Sequence, residues 1–237
     1  MLRPLTNRVA NEGDLGLDLI VTGAHFSEKQ GYTVDEIEKD GNSISHRIDI
    51  LDGSNTSYGV SCTMANALQK FAECFRDDRP DLLVILGDRT EMLSVAASAM
   101  NERIPIAHIH GGEITEGAID DCVRHAITKM SYLHFTCTEE YRNRVIQLGE
   151  SPDRVFNVGS LGAENILRRE ILDYKELQNQ IPELSFDNHI GYGVVTYHPV
   201  TLEKMPIKMQ MVELFRAMER TRDLFFVITA SNTDVGG

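Results

Sequence analysis

The sequence predicts an α/β fold, an open parallel sheet flanked by helices and followed by the start of a second unit of the same kind. Three observations predict it. Segments of strand and helix character alternate along most of the 237 residues. Two short apolar runs, at 82–86 and 104–109, each stop in a burst of glycine, histidine and charged residues. Buried parallel strands behave this way where their carboxyl ends open onto a site. The alternation then lapses over a polar stretch at 173–189 and restarts. This divides the chain into a first domain over 1–172, a connection over 173–189, and the start of a second, incomplete domain over 190–237.

Each element has its own reason. Leu2, Leu5 and Val9 share one helical face near the start. Residues 17–21 form an apolar strand ending in Thr22-Gly23, 35–39 a short helix, and 44–50 an alternating strand. Residues 57–76 read as an amphipathic helix whose apolar face holds Met64, Leu68, Phe71 and Phe75. A strand at 82–86, an alanine-rich helix at 91–101, a strand at 106–109, a helix at 120–130 and a strand at 134–137 follow. Thr138 is placed to cap the next helix, with Glu139 and Glu140 complementing its dipole. Residues 155–158 form a strand ending at Gly159, and 161–172 a helix. In the second unit, 192–197 and 224–229 are strands joined by a helix over 205–221.

Composition narrows the function. Charged residues are 25% and hydrophobic residues 42%, the balance of an ordinary globular protein. A formal net charge of −13 argues against nucleic acid or an anionic membrane as the main partner. Apolar runs are far shorter than the roughly 20 residues of a membrane span, and no targeting segment stands at the start, so the expected location is the cytoplasm. Cys62, Cys74, Cys122 and Cys137 show no CxxC spacing, which fits reduced thiols. A zinc site from His108, His110, Cys122 and His125 can be drawn. Substrate contact or hydrogen bonding explains the two strand-end histidines better, so no metal ligand is assigned.

The candidate chemistry gathers where the strands end. Asp88, after Gly87, is placed either as an acid, base or substrate contact or as the cap of the following helix. Arg89 is suited to a phosphate or to holding Asp88. Glu91 reads as a first-turn dipole complement. His110 and Glu113 flank Gly111-Gly112, where missing side chains let backbone approach a ligand. Asp120 and Arg124 stand four apart and can pair on one helix face, giving a carboxylate oriented by its own arginine. Asp121 is assigned to capping or support. His198 ends a strand in the second unit and is either structural or part of a cleft.

With these residues in view, the chain resembles the hydrolysing UDP-N-acetylglucosamine 2-epimerases of bacterial sialic acid and capsule synthesis. The resemblance is carried by VTGAH at 21–25, LGDRTEML at 86–93, IPIAHIHGGE at 104–113, RHAITKMS at 124–131, TEEYRNRVIQLGE at 138–150, VFNVGSLGAENI at 155–166, YHPVT at 197–201 and SNTDVGG at 231–237. These pieces occur in family order over nearly the whole chain.

The resemblance implies two Rossmann-like domains as in the GT-B fold, with a UDP-sugar in the cleft. It implies a reaction without cofactor or metal. A base removes the proton on carbon 2 as UDP leaves carbon 1, and the 2-acetamidoglucal takes up water to give N-acetylmannosamine. By motif, Asp88 and Asp120 are the expected catalytic carboxylates, with His110 or Glu113 completing them. Many relatives have a glutamate where this chain has His110, so acid and base stay unassigned between these groups. Arg89, His198 and Asn232 are the expected substrate contacts. A homo-oligomer, dimer or tetramer, is expected of the full-length protein.

Measured against that family, both ends read as cut: the opening strand with its GTRADYG-like loop and most of the second domain are absent from the motif set. Loss of a central strand predicts a chain that is poorly soluble or partly unfolded, and inactive, because several buried side chains at roughly 1.5–3 kcal/mol each rival a whole domain's stability. Two alternatives stand beside UDP-N-acetylglucosamine turnover. One is the same chemistry on a diacetamido-trideoxyhexose nucleotide. The other is an inactive remnant that binds a sugar nucleotide.

Overall fold

The computed structural model describes residues 1–28, 31–41, 43–54, 56–168, 170–184, 191–199 and 204–229. The chain divides into two compact units, Met1–Leu167 and Arg168–Gly237.

In the first unit, α1 (Arg3–Ala10) precedes β1 (Ile20–Thr22), α2 (Val34–Lys39) and β2 (His46–Ile48). Strands β1 and β2 pair in parallel, with Val21 opposite Arg47. Helix α3 (Ser57–Asp77) follows, capped by the Thr56 side chain, which accepts from the Gly59 amide at 3.1 Å. Then come β3 (Leu83–Leu86), α4 (Thr90–Asn101), β4 (Ile106–Ile109), α5 (Asp120–Met130), β5 (Leu133–Thr136), α6 (Glu139–Gln147), β6 (Val155–Asn157) and α7 (Leu161–Leu167). Strands β3, β4, β5 and β6 form a parallel sheet in that order. In its register Leu86 lies opposite Ile109, and Ile109 opposite Phe135.

The core lies between the sheet and its helices. Phe71 and Phe75 of α3, Val95, Ala96 and Ala99 of α4, Ile85 of β3, Ile106 of β4, and Val123 and Ile127 of α5 pack together. Phe75 and Ile106 are fully buried, each stabilising the fold by roughly 1.5–3 kcal/mol. The small alanines of α4 let it approach α3 and the sheet. The apolar face expected of α3 is partly shifted, because Leu68 is exposed and Ala67 is buried in its place. Every residue of β4 is buried, so its polar member, His108, stands inside the sheet and must find its hydrogen bonds there.

In the second unit, α8 (Tyr174–Gln180) precedes β7 (Gly191–Val195), α9 (Ile207–Arg220) and β8 (Leu224–Ile228). Strands β7 and β8 pair in parallel, with Gly193 opposite Phe226. Two expectations are corrected. The helix expected over 161–172 ends at Leu167, because α7 buries none of its residues and Leu167 and Ile171 are exposed. The stretch expected to be an irregular connection contains α8. Its start is a capping box, in which Asp173 accepts from the Glu176 amide at 2.8 Å and Glu176 accepts from the Asp173 amide at 2.9 Å. Among the described residues, no helix is long and apolar enough to cross a membrane.

Candidate functional site

The site is built where adjacent parallel strands end. After β3 the chain turns through Gly87, at φ +75°, into Asp88 and Arg89. The Gly87 amide donates to the Ile109 carbonyl at 2.9 Å, so this turn lies against the end of β4. Beneath it, His108 Nε2 stands 2.8 Å from the Gly87 carbonyl. A carbonyl only accepts, so Nε2 carries the hydrogen, and Nδ1 accepts from the Thr128 hydroxyl at 3.1 Å. Burial lowers the His108 pKa to about 4. His108 is therefore a neutral pin under the turn, which bears out the hydrogen-bonding reading and removes it from the reacting groups.

Arg124 of α5 ties the turn to the next loop. It is buried, with 3% of its side chain exposed. One terminal nitrogen donates to the Asp88 carboxylate and, at 2.9 Å, to the Thr115 hydroxyl. The other donates to the Asp121 carboxylate at 2.6 Å and to the Glu113 carbonyl at 2.8 Å. Asp88 is thus an ion-pair partner at the strand end. It does not cap α4, whose capping position is Arg89 without a side-chain hydrogen bond.

The partner that Arg124 takes from its own helix is Asp121, three residues back, where the sequence suggested Asp120. Asp121 also accepts from the Thr115 amide at 2.8 Å, so it supports the loop and does not cap the helix. Asp120 is the half-buried first residue of α5.

His110 follows β4 with φ +66°, a left-handed conformation that a side-chain-bearing residue seldom adopts. Its amide donates to the Phe135 carbonyl at 2.8 Å, fixing it beside the end of β5. Its Nδ1 lies 3.1 Å from Glu113 Oε1. The same oxygen accepts from the Cys137 thiol at 3.2 Å. The hydrogen bond from His110 and that from Cys137 hold the Glu113 carboxyl below its usual pKa, against the opposing pull of burial. An ionised Glu113 only accepts, so His110 Nδ1 carries the hydrogen of this contact, and in the neutral imidazole Nε2 then presents a lone pair. That Nε2 is buried and has no hydrogen-bond partner among the described residues.

Gly111-Gly112 is closely packed. A β-carbon on Gly112 would sit 2.4 Å from the Tyr141 carbonyl oxygen, and one on Gly111 would sit 3.2 Å from His108 Nδ1. Arg144 of α6 donates to the Gly112 carbonyl. Gly112 clamps the loop onto α6, while Gly111 seats it against His108 and Thr128, and together they fix His110 and Glu113.

Arg89 flanks the turn, with Nε donating to the buried Glu91 carboxylate at 2.8 Å. Glu91 is thus a buried partner for Arg89, beyond the dipole role expected for it. It also comes close to Gly23, at φ +63°, where a β-carbon would stand 3.1 Å from Oε1. His25, two residues on, is solvent-exposed with Nδ1 2.7 Å from the Thr33 hydroxyl, and it feels the Arg89 charge, a neighbour that the sequence reading did not assign. Partial desolvation and the Arg89 charge lower its pKa. Its signal was the same one that marked Asp88, a glycine and a titratable group just past a strand.

Cys137 was also missed, since nothing in its spacing marks it. The zinc set drawn from the sequence does not converge. His108 is a core residue, Cys122 is exposed, and the one group of possible ligands among the described residues is His110, Glu113 and Cys137. His198 is exposed just beyond β7 in the second unit. Asn232 lies outside the described residues.

Comparison with known proteins gives this arrangement a setting. Residues 7–237 match the family described as UDP-N-acetylglucosamine 2-epimerase. The GDP/UDP-N,N'-diacetylbacillosamine 2-epimerase (hydrolyzing) of Campylobacter jejuni is 40% identical over the whole chain, which covers 61% of that relative. The polysialic acid biosynthesis protein P7 of Escherichia coli is also 40% identical over the whole chain and 60% of its own length. The crystal structure of UDP-GlcNAc 2-epimerase from Neisseria meningitidis bound to UDP-GlcNAc superposes with a TM-score of 0.78 at 18% identity, over 98% of this chain and 62% of that one. The chain therefore spans about three-fifths of the length of the relatives it matches, and shares the α/β fold of parallel, Rossmann-like sheets.

Proposed function

The chain belongs to the UDP-N-acetylglucosamine 2-epimerase family, and from that premise we propose that it carries the first-domain side of the site of a hydrolysing sugar-nucleotide 2-epimerase. The observation that carries this reading is His110 Nε2, a buried lone pair without a partner, oriented through Nδ1 by ionised Glu113. A carbon-bound proton is removed only by a base held at the reacting atom, and an imidazole backed by a carboxylate is such a base.

In this reading His110 takes the proton from carbon 2 of a UDP-linked 2-acetamido sugar as the bond from carbon 1 to the diphosphate breaks. The electron pair of the C–H bond forms the double bond of a 2-acetamidoglucal, and UDP leaves with the bonding pair. Asp88, steadied by Arg124, and Asp120 at the start of α5 hold sugar hydroxyls and serve the water addition that follows. Arg89 offers a cation to the departing diphosphate. His198 and Asn232 are assigned to the nucleotide.

UDP-N-acetylglucosamine is the leading substrate, through the family description and a Neisseria meningitidis relative named UDP-N-acetylglucosamine 2-epimerase, 30% identical. UDP-N,N'-diacetylbacillosamine is the second reading. It is favoured by the Campylobacter relative and by a Legionella pneumophila enzyme of that name, 35% identical. The test is to give the intact protein each donor in deuterated water, following UDP release and the hydrogen at carbon 2 of the product. Release of UDP with one deuterium at carbon 2 is expected. UDP binding without release from either donor would favour the inactive remnant.

A further inference from the structure

His110, Glu113 and Cys137 come from different positions in the sequence and offer three chemically different ligand atoms to one point. Nδ1, a carboxylate oxygen and Sγ all lie within 4.8 Å of one another. Glu113 Oε1 is 3.1 Å from Nδ1 and 3.2 Å from Sγ. Bonds of about 2.0–2.3 Å at tetrahedral angles place neighbouring nitrogen, oxygen and sulfur ligands roughly 3.3–3.6 Å apart. Two of the three spacings, those that share the Glu113 oxygen, are within a few tenths of an ångström of that range before any ion arrives, and the third closes within 4.8 Å.

It is also held in place. His110 and Cys137 directly follow the paired strands β4 and β5, and the His110 amide is bonded to Phe135. The Gly112 carbonyl is held by Arg144. None of the three side chains is on open surface, so little order remains to be created on binding.

We propose that His110, Glu113 and Cys137 bind a borderline-soft divalent transition-metal ion of the zinc class, and that its binding blocks the proton-removing site. The second clause rests on the function proposed above. Thiolate, imidazole and carboxylate together are the donor set such an ion selects over magnesium or calcium. The balance is simple. The ion displaces the Cys137 proton to solvent and bonds the sulfur. It takes the Nδ1 lone pair as the imidazole hydrogen moves to Nε2, and it bonds the Glu113 oxygen already ionised. The two anionic ligands neutralise the dication, and a fourth position stays open to water. His110 then has a hydrogen on the nitrogen that was to accept one, and Glu113 no longer orients it. The ion acts as an inhibitor and plays no part in turnover.

The test uses the intact, chelator-stripped protein titrated with Co2+ and then Zn2+. One equivalent of Co2+ is expected to give a near-ultraviolet thiolate-to-cobalt band with tetrahedral visible bands, and Zn2+ to erase them. Cys137→Ser should abolish the thiolate band and weaken binding at least tenfold. Cys122→Ser, at an exposed cysteine of α5 outside the ligand cluster, should change neither. A thiolate band that survives in Cys137→Ser, or the absence of saturation at one equivalent, overturns the site. UDP release measured with and without saturating Zn2+ tests the second clause. Binding with the Cys137 signature but undiminished UDP release overturns the block and counts against His110 as base. If no ion binds but Glu113→Gln still stops UDP release, the metal site alone fails and the catalytic reading stands.

Discussion

The Arg124 guanidinium on α5 is hydrogen-bonded to the Asp88 carboxylate at the end of β3, 36 residues earlier in the chain. This pair joins two loops that would otherwise be independent, since Arg124 also holds Thr115, Asp121 and the Glu113 carbonyl. Removing one member of a buried pair leaves the other charge unmatched, at roughly 3–5 kcal/mol. Arg124→Met is therefore expected to lower the urea midpoint sharply, with loss of activity following from instability. Asp88→Asn keeps the shape and a hydrogen-bond acceptor, and the Arg124 charge keeps its second carboxylate, Asp121 at 2.6 Å, so it is expected to lower kcat by about 10²–10⁴ with a far smaller change in midpoint. Comparable destabilisation by both variants would mean that Asp88 is structural.

Gly112→Ala is expected to be far worse than Gly111→Ala. At Gly112 the backbone has φ +80° and a new methyl would lie 2.4 Å from the Tyr141 carbonyl oxygen. Backbone atoms of α6 cannot step aside, and strain of this kind costs about 1–3 kcal/mol before the clash is counted. At Gly111 the nearest atoms are side-chain atoms 3.2 Å away, on His108 and Thr128. Equilibrium urea unfolding of both variants checks the order, and equal losses would show that the α6 clamp does not hold the loop.

Acid should destabilise the fold through His108. Its pKa falls from 6.5 to about 4, chiefly because burial penalises the charged form. Between those values the unfolded chain binds a proton that the folded chain does not, so stability is full above pH 6.5 and declines as pH falls toward 4. The loss is on the order of 3 kcal/mol. Burial lowers the His134 pKa as well, so that residue adds loss of the same sign. Urea midpoints at pH 7.5 and pH 5 should differ less in His108→Asn than in the parent. An unchanged difference would place the acid sensitivity elsewhere.

The strands around the site were legible because they obey local rules. A short apolar run closed by glycine and charge located β3 and β4, and Thr138, accepting from the Tyr141 amide at 3.2 Å, began α6 as read. The misses were of two kinds. Helix α8 carries a clear capping box but buries no residue, so the apolar period that identifies helices is absent. The helix expected over 161–172 stops at Leu167 because α7 fully buries none of its residues, so continuing it would gain no core contact.

Within the site, pattern placed His110, Glu113 and Asp88 at strand ends, and they stand there. It did not resolve whether Arg124 would choose a carboxylate three or four residues back. It gave no sign of Cys137, whose role depends on β5 lying beside β4. Pairings across strands are properties of the sheet, and local spacing does not encode them.

Glu113→Gln gives the sharpest check on the proposed base. Glu113 is held ionised by donors from His110 and Cys137, and its charge stabilises the imidazolium that forms when His110 Nε2 takes a proton. Glutamine is nearly the same size, so stability should change by less than about 1.5 kcal/mol. Its neutral amide no longer matches the developing charge and can turn a donor toward Nδ1, which would set the wrong tautomer. Loss of general-base action is worth about 10²–10⁴ in rate. The variant is expected to bind UDP as the parent does while kcat for UDP release falls by that factor. Deuterium entry at carbon 2 of the product should slow in parallel, because both events need the same proton removed. A variant that releases UDP at the parent rate would show that Glu113 does not orient the base. Slow UDP release with parent-like deuterium exchange would place Glu113 on the leaving-group side of the reaction.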